Sequence, residues 1–468
     1  MGPFHLLIDG KLEAGDSEMS VINPANEEVL SACPRASMAQ LDKAVAAAKR
    51  AFPAWSATPL DVRRKALLAM ADAIQGDAPN LARLLTQEQG KPIGDATGEV
   101  YGCAAFFRYF STLDLPEKVV EDSATRKVVS RRRPLGVVAA IVPWNFPLIL
   151  MAFKVPAAIL AGNTVILKPA ATTPLSTLRI AELVKDLLPP GVLNVISDAN
   201  DLGAAITSHP DIRKVSFTGS TETGKKVMAG AAEALKRITL ELGGNDAAIV
   251  LEGNDPKETA PKIFAGAFQN SGQVCIAIKR AYVHESIYDA MCDELARLAD
   301  AAVMGDGLQQ GVTLGPLQNK TQFEKVLGLI EDAKADGKII AGGGRADGKG
   351  YFIKPTIVRD ITDGSRLVDE EQFGPVLPVI KIKDGEDALS RANASSYGLG
   401  GSIWSRDLDA AMDLAGRMDT GTVWINKHAE LAPNIPFGGA KLSGIGNELG
   451  EEGLAEFTQM HVINMAKA

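Results

Sequence analysis

The 468-residue sequence predicts an α/β protein built from doubly wound, mainly parallel sheets. Three observations carry that prediction. From 135 to 251, short β-branched runs (137–142, 164–167, 192–196, 215–217 and 238–240) alternate with helical segments. The alternation then begins again, with 247–251, 281–283, 339–341 and 376–382 as strands of a second α/β unit and 286–302 as one of its helices. The stretch 114–134 interrupts the first unit and reads as an inserted β-hairpin, and strand character returns in the tail after Glu456, at Val462 and Ile463. Before the first unit, Leu41, Val45 and Ala48 follow Met38 at helical spacing, and 62–74 gives a second helix.

Length and composition narrow the function. A chain this long divides into roughly three domains. Hydrophobic residues make up 46% and aromatics only 5%, which suits helices packed closely on sheets. The net charge of −8 disfavours a nucleic acid or an anionic membrane as partner. The basic run Arg131-Arg132-Arg133 follows Val128, Val129 and Ser130 and reads as a solvated strand. The longest apolar run, 146–160, is too short to span a membrane and contains Lys154 and Pro156. Cys33, Cys103, Cys275 and Cys292 lie far apart with no CxxC pair, so neither a disulfide framework nor a metal site is expected. Reduced thiols and a cytoplasmic location follow, and Met1 to His5 lacks the basic start of a signal peptide.

The chemistry is carried by motifs. Cys275 closes Phe268-Gln269-Asn270-Ser271-Gly272-Gln273-Val274-Cys275, and Glu241 opens Glu241-Leu242-Gly243-Gly244-Asn245. A thiol and a carboxylate with glycines beside them are the parts of covalent catalysis: sulfur attacks a carbonyl, and the acid later activates water. Such a thiol wants a partly exposed, electropositive setting, and a lone cysteine is otherwise a small buried hydrophobe. Pro143-Trp144-Asn145-Phe146-Pro147 follows a strand and precedes a helix, where open α/β sheets place ligands. Asn145 there is either a rigidly held amide donor or a helix cap. Val215-Ser216-Phe217-Thr218-Gly219-Ser220-Thr221 is strand, turn and helix start, an anion site with Thr218 and Ser220 as added donors. Gly219 to Lys225 fits the start of a nucleoside-triphosphate loop, but Lys226 stands where the magnesium-binding hydroxyl belongs, so a dinucleotide pyrophosphate fits better. Lys168, in Lys168-Pro169-Ala170-Ala171, is either a solvated strand end or a ligand for ribose or phosphate. Glu370-Glu371-Gln372-Phe373-Gly374-Pro375-Val376 pairs an acid with an aromatic, or is simply a solvated helix end.

In this order, and with Pro436-Phe437-Gly438-Gly439-Ala440-Lys441-Leu442-Ser443-Gly444, the motifs resemble the aldehyde dehydrogenase superfamily over essentially the whole chain. The resemblance implies a Rossmann-like cofactor domain (1–113 and 135–243), a second α/β catalytic domain (244–442) and a small β oligomerisation region (114–134 and 455–468). It implies a homodimer or homotetramer that oxidises an aldehyde with NAD or NADP. By position it makes Cys275 the nucleophile, Glu241 the base, Asn145 the oxyanion donor and Glu448 a proton-relaying acid, with Lys168 also counted among the catalytic residues. Val142, Pro143, Trp144, Lys168, Ala171, Phe217, Gly219, Ser220, Leu242, Glu371 and Phe373 fall at cofactor-contact positions. Phe146, Leu150, Phe153, Val274, Ile276, Leu431 and Phe437 fall along the aldehyde tunnel. All seven are apolar, which favours aliphatic or aromatic aldehydes over semialdehyde acids. His428 and Glu430 either add polar selectivity there or face solvent.

One position departs from the family pattern. Lys-Pro-x-Glu is usual, and here Ala171 replaces the glutamate that takes the adenosine ribose. Its loss removes repulsion against a 2′-phosphate that Lys168 could attract, so NADP or dual use is plausible. A CoA-acylating dehydrogenase, a cysteine hydrolase with a histidine base, and a non-catalytic binding protein remain the rival readings.

Overall fold

The computed structural model describes residues 3–467. Two parallel sheets organise them. In the first, Leu193–Val195, Thr164–Lys168, Val137–Ile141, Ile212–Thr218 and Arg237–Glu241 lie side by side in that order, all parallel. The chain runs outward from Val137–Ile141 in one direction and then crosses to Ile212–Thr218 on its other side. That reversal is the topological switch point of a doubly wound sheet, where a crevice opens at the carboxyl ends of the strands. Each of the two strands flanking the crevice, Val137–Ile141 and Ile212–Thr218, is almost wholly buried, as a sheet covered on both faces requires.

The expected strands of this sheet all form, within a few residues of their predicted ends. Its edges were not foreseen. Leu6–Ile8 and Lys11–Glu13 add an antiparallel pair on one side, and Gly444–Ile445 pairs antiparallel with Arg237–Glu241 on the other. These segments are two or three residues long, too short for periodicity to register.

The second sheet has the order Lys338–Ala341, Thr356–Arg359, Val376–Ile382, Ile278–His284, Asp246–Val250, Gly400–Trp404 and Thr422–Ile425. Four of these strands were expected; Thr356–Arg359, Gly400–Trp404 and Thr422–Ile425 were not. Gly400–Trp404 opens on two glycines, which propensity reads as a turn. The packing gives the reason for one of them: a Cβ on Gly401 would lie 2.3 Å from the Met418 sulfur.

The inserted hairpin forms as Lys118–Asp122 and Arg126–Pro134, and the tail strand Thr458–Ala466 pairs antiparallel with Arg126–Pro134 along its whole length. Hairpin and tail thus make one three-stranded sheet, with the arginine run in its middle strand. The predicted N-terminal helices are Met38–Ala57, capped by a Ser37–Gln40 box, and Leu60–Gly76. No helix among the described residues is long and apolar enough to cross a membrane.

Candidate active site

The carboxyl ends of three neighbouring strands deliver their motifs to one cavity of about 170 Å³. Pro143 and Trp144 follow Val137–Ile141, Thr218 to Ser220 end the next strand, and Glu241 to Gly243 end the one after. Asn145, Leu150, Cys275, Glu371 and Phe373 complete the wall.

Asn145 is not a helix cap. The helix Pro147–Ala152 has Phe146 at its cap position and no capping side chain. The Asn145 amide instead donates to the Gln273 carbonyl (3.0 Å), which fixes its orientation and leaves its second N–H free. The Asn145 backbone carbonyl accepts from Lys91 Nζ (2.9 Å) and Asn270 Nδ2 (3.1 Å). Lys91 is fully buried, is paired with Glu99 at 2.5 Å, and lies 3.6 Å from the centre of the Phe146 ring. Glu99 in turn accepts from the Leu148 amide (2.9 Å) at the start of the next helix. The loop between the prolines is therefore held at both ends by one buried ion pair.

Cys275 follows a turn with three consecutive left-handed residues, Asn270, Ser271 and Gly272, at φ of 48°, 54° and 74°. Only glycine is tolerated at the last, where a Cβ would meet the Gly374 carbonyl at 2.2 Å. Such strain persists only where surrounding bonds over-determine it. Here Ser271 Oγ donates to Gly315 O (2.7 Å), Gln273 Nε2 to Asn270 O (2.9 Å), and Gln318 N to Gln273 Oε1 (2.8 Å). Lys279 Nζ donates to the carbonyls of Cys275 (2.6 Å) and Val274 (2.9 Å) from behind.

The electrostatic setting differs from the electropositive one expected for this thiol. Burial, and then the Glu241 carboxylate, push Cys275 well above the usual thiol range, with Lys279 the opposing cation.

Glu241 is buried, and apart from the Cys275 thiol beside it neither of its oxygens has a hydrogen-bond partner. Burial and the nearby Glu448 carboxylate raise it to about 8, against the pull of Lys154. Glu448 is itself buried and engaged by Lys154, whose Nζ also donates to Thr218 Oγ1 (2.7 Å). A buried carboxylate left unpaired is costly, so two of them with a single lysine between make a site poised to exchange protons.

Glu371 accepts from the Gly244 amide (3.0 Å) and lies 3.8 Å from Lys279, so it is not a solvated helix end. Phe373 stands at a left-handed φ of 54° with its ring edge-on to Trp144, 5.4 Å between centroids. Ser220 caps the helix Thr221–Ala232 through Thr223 N, while Lys225 turns away to Glu222 (2.7 Å). A Cβ on Gly219 would sit 2.5 Å from the Phe217 ring, and one on Gly243 would sit 2.4 Å from Glu371. These glycines keep the floor of the crevice open, and with the helix start and the aromatic pair they fit a dinucleotide laid across it.

Lys168 lies one strand further from the thiol and does not line this cavity. It is neither solvated nor free, because Asp198 holds it at 2.6 Å. Ala171 sits in the turn beyond it, and Val142 is buried below the crevice.

Of the seven expected tunnel positions, Leu150 lines this cavity. Leu150, Phe153, Val274, Ile276 and Phe437 are buried in one apolar cluster, with Phe146, Leu431 and Cys275 packed against it. His428 is buried beside them and neutral, its pKa lowered by burial to about 3. Its Nε2 faces the Ile276 carbonyl (2.7 Å), so that nitrogen carries the proton, and Nδ1 faces Ser402 Oγ (3.0 Å). With both nitrogens engaged, this histidine is not available as a thiol base. Glu430 is exposed.

The sequence reading passed over Lys91, Glu99, Lys154 and Lys279. Lys154 left a signal: a charge inside an apolar run that buries completely must have a buried partner.

Fold and site together define an oxidoreductase of the doubly wound α/β class. Residues 12–463 match the profile of the aldehyde dehydrogenase family. The chain is 41% identical to aldehyde dehydrogenase LUC3 of Fusarium sp, with 99% of each covered, and 41% identical to phenylacetaldehyde dehydrogenase of Pseudomonas fluorescens, covering 97% of this chain and 94% of that one. Its fold superposes on the NAD+ complex of an aldehyde dehydrogenase from Bacillus cereus with a TM-score of 0.98 at 37% identity, covering 100% of this chain and 97% of the other. The chain belongs to the aldehyde dehydrogenase family.

Proposed function

We propose that the protein oxidises an apolar aliphatic or aromatic aldehyde to its carboxylic acid, through Cys275, with NAD or NADP as the oxidant. The observation that carries this reading is the unpaired Glu241 carboxylate enclosed in one small cavity with the Cys275 thiol and the Asn145 amide.

Cys275 gives up its proton to water, and its sulfur bonds to the aldehyde carbon. The free N–H of Asn145 and the Cys275 backbone N–H receive the oxygen as it becomes an anion. One such donor is typically worth about 2.7–4 kcal/mol. Trp144, Glu371, Phe373, Ser220 and Leu242 are the residues that would hold the dinucleotide, and its nicotinamide supplies the hydride acceptor. Glu241 then takes a proton from water, the water oxygen bonds to the thioester carbon, and the carbon–sulfur bond breaks. Glu448 and Lys154 lie behind Glu241 as the route by which that proton leaves. A CoA-acylating enzyme would have no use for Glu241 as a water-activating base; product analysis with and without CoA separates the two.

The apolar tunnel residues support the substrate class, as does likeness to an enzyme named for phenylacetaldehyde. Hexanal and benzaldehyde are expected to give faster dinucleotide reduction than succinic semialdehyde. A clear preference for the semialdehyde would overturn the substrate class while leaving the reaction standing.

Assembly as a homodimer or homotetramer belongs to the same reading. The three-stranded sheet exposes Val119, Val120, Met460, Val462 and Met465, and both of its edge strands are open among the described residues. Apolar side chains beside open edges mark a surface meant to be covered. Light scattering is expected to give two or four subunit masses; a single subunit mass at micromolar concentration would refute this.

A further inference from the structure

The Cys275 loop rests on a buried lysine that the reaction as written leaves idle. Lys279 is the second residue of the strand Ile278–His284, and its side chain is almost fully buried. Pairing with the strand Asp246–Val250 slips at this point. Ile278 is opposite Asp246 and Arg280 is opposite Ala247, so Lys279 is an extra residue without a partner on that strand. Irregularities of this kind re-aim side chains. Here the lysine turns back to the loop it follows, and its Nζ donates to Val274 O (2.9 Å) and Cys275 O (2.6 Å). Two acids face it. Glu371 lies 3.8 Å away and accepts from the Gly244 amide (3.0 Å). Asp246 accepts from the Gly400 amide (3.1 Å) through Oδ1, while its buried Oδ2 has no hydrogen-bond partner. Of the other basic groups here, Arg280 donates to the Asn245 carbonyl (2.9 Å), and His428 is neutral.

The two carbonyls place the charge where the chemistry develops its own. Val274 O belongs to the same peptide unit as the Cys275 N–H, which receives the aldehyde oxygen as it becomes an anion. A cation at the carbonyl end of a peptide draws electron density toward itself and makes the N–H at the other end a stronger donor, the more so in a low dielectric. The bond to Cys275 O holds the same charge beside the residue whose sulfur must become a thiolate. We infer that Lys279 is a positioning residue for the reaction, polarising the Val274–Cys275 peptide from behind so that its N–H holds the oxyanion. It does not line the cavity, so it acts through that peptide and not on the aldehyde. A purely mechanical role is already filled, because Ser271, Gln273 and Gln318 fix the turn without it. The role rests on the proposed reading of Cys275 as the nucleophile.

Two rates on the full-length protein test it: the first turnover, by rapid mixing of hexanal with the NAD+-saturated enzyme, and iodoacetamide alkylation of Cys275. Alkylation needs the thiolate but passes through no oxyanion. Lys279→Gln should slow alkylation by about tenfold, because it removes the cation that opposes Glu241 at the sulfur. First turnover should fall by about a further tenfold, a fraction of the 10²–10³ that loss of a whole oxyanion donor costs. The NAD+ Kd and the hexanal concentration at half-saturation should stay within about threefold of wild type. Asp246→Asn works in the opposite sense and keeps the test alive should Lys279→Gln fail to fold. Burial raises Asp246 to about 7, so its charge opposes Lys279 above that pH. Alkylation and first turnover should both quicken in Asp246→Asn above about pH 8, and the gain should vanish below about pH 6, where wild type has already lost that charge. Equal losses in the two rates of Lys279→Gln, an unchanged first turnover in that variant, or slower alkylation in Asp246→Asn would each overturn the role, with wild-type turnover leaving the reaction standing. Wild type that reduces no dinucleotide with any aldehyde would overturn the underlying reading together with it.

Discussion

Replacing Cys275 with alanine is expected to abolish aldehyde-dependent dinucleotide reduction, by about 10⁴–10⁶-fold, the range seen when a covalent nucleophile is removed. Nothing else in the cavity can take its place. Cys33, Cys103 and Cys292 are buried elsewhere, and burial pushes Cys33 and Cys292 up to about 12. The substitution should leave the fold intact. The Cys275 side chain packs against the apolar cluster from its margin, and the loop is held by Gln273, Ser271 and Lys279 through groups the mutation does not touch. Dinucleotide titration should therefore match wild type, which separates a missing nucleophile from a misfolded protein. Retention of even one per cent of wild-type turnover, in protein that binds the nucleotide normally, would exclude a covalent path through this sulfur.

Glu241→Gln is expected to separate the two halves of the reaction. Gln removes the carboxylate that raises the Cys275 thiol, so the sulfur forms a thiolate more easily and the first turnover proceeds. Hydrolysis then lacks its base. Rapid mixing should show a burst near one equivalent of reduced dinucleotide per active site, followed by a steady rate slower by about 10²-fold or more. The pH dependence carries the same signature. Glu241 sits at about 8 because burial and Glu448 favour its neutral form. Below that pH the base is mostly protonated, and each unit of acidification removes most of what remains. Hydrolysis in wild type should thus rise with pH and level off above about 8. In the Gln variant the rise should vanish. A Gln variant without a burst would assign Glu241 to an earlier step.

Much of this was legible in the chain. The two rounds of strand and helix, the inserted hairpin and the strand-like tail are local patterns, and each appears where its periodicity placed it. The motif around Asn145 announced a rigid turn at a strand end because prolines and β-branched runs act within a few residues. What the sequence hid is short or distant. Gly400–Trp404 reads as a turn because its glycines answer to Met418, and Gly444–Ile445 is a strand only because Arg237–Glu241 waits for it some two hundred positions earlier.

The same division runs through the site. The sequence by itself determined which chemistry is on offer, since a thiol, an acid and an amide in family order cannot be rearranged by folding. Only the tertiary structure decided the state of each group. Burial and the acid beside it push the Cys275 thiol up, burial and Glu448 raise Glu241 against the pull of Lys154, and Lys168 is paired with Asp198. Charge acts through space and with burial, and neither distance nor burial is written in the order of residues along a chain.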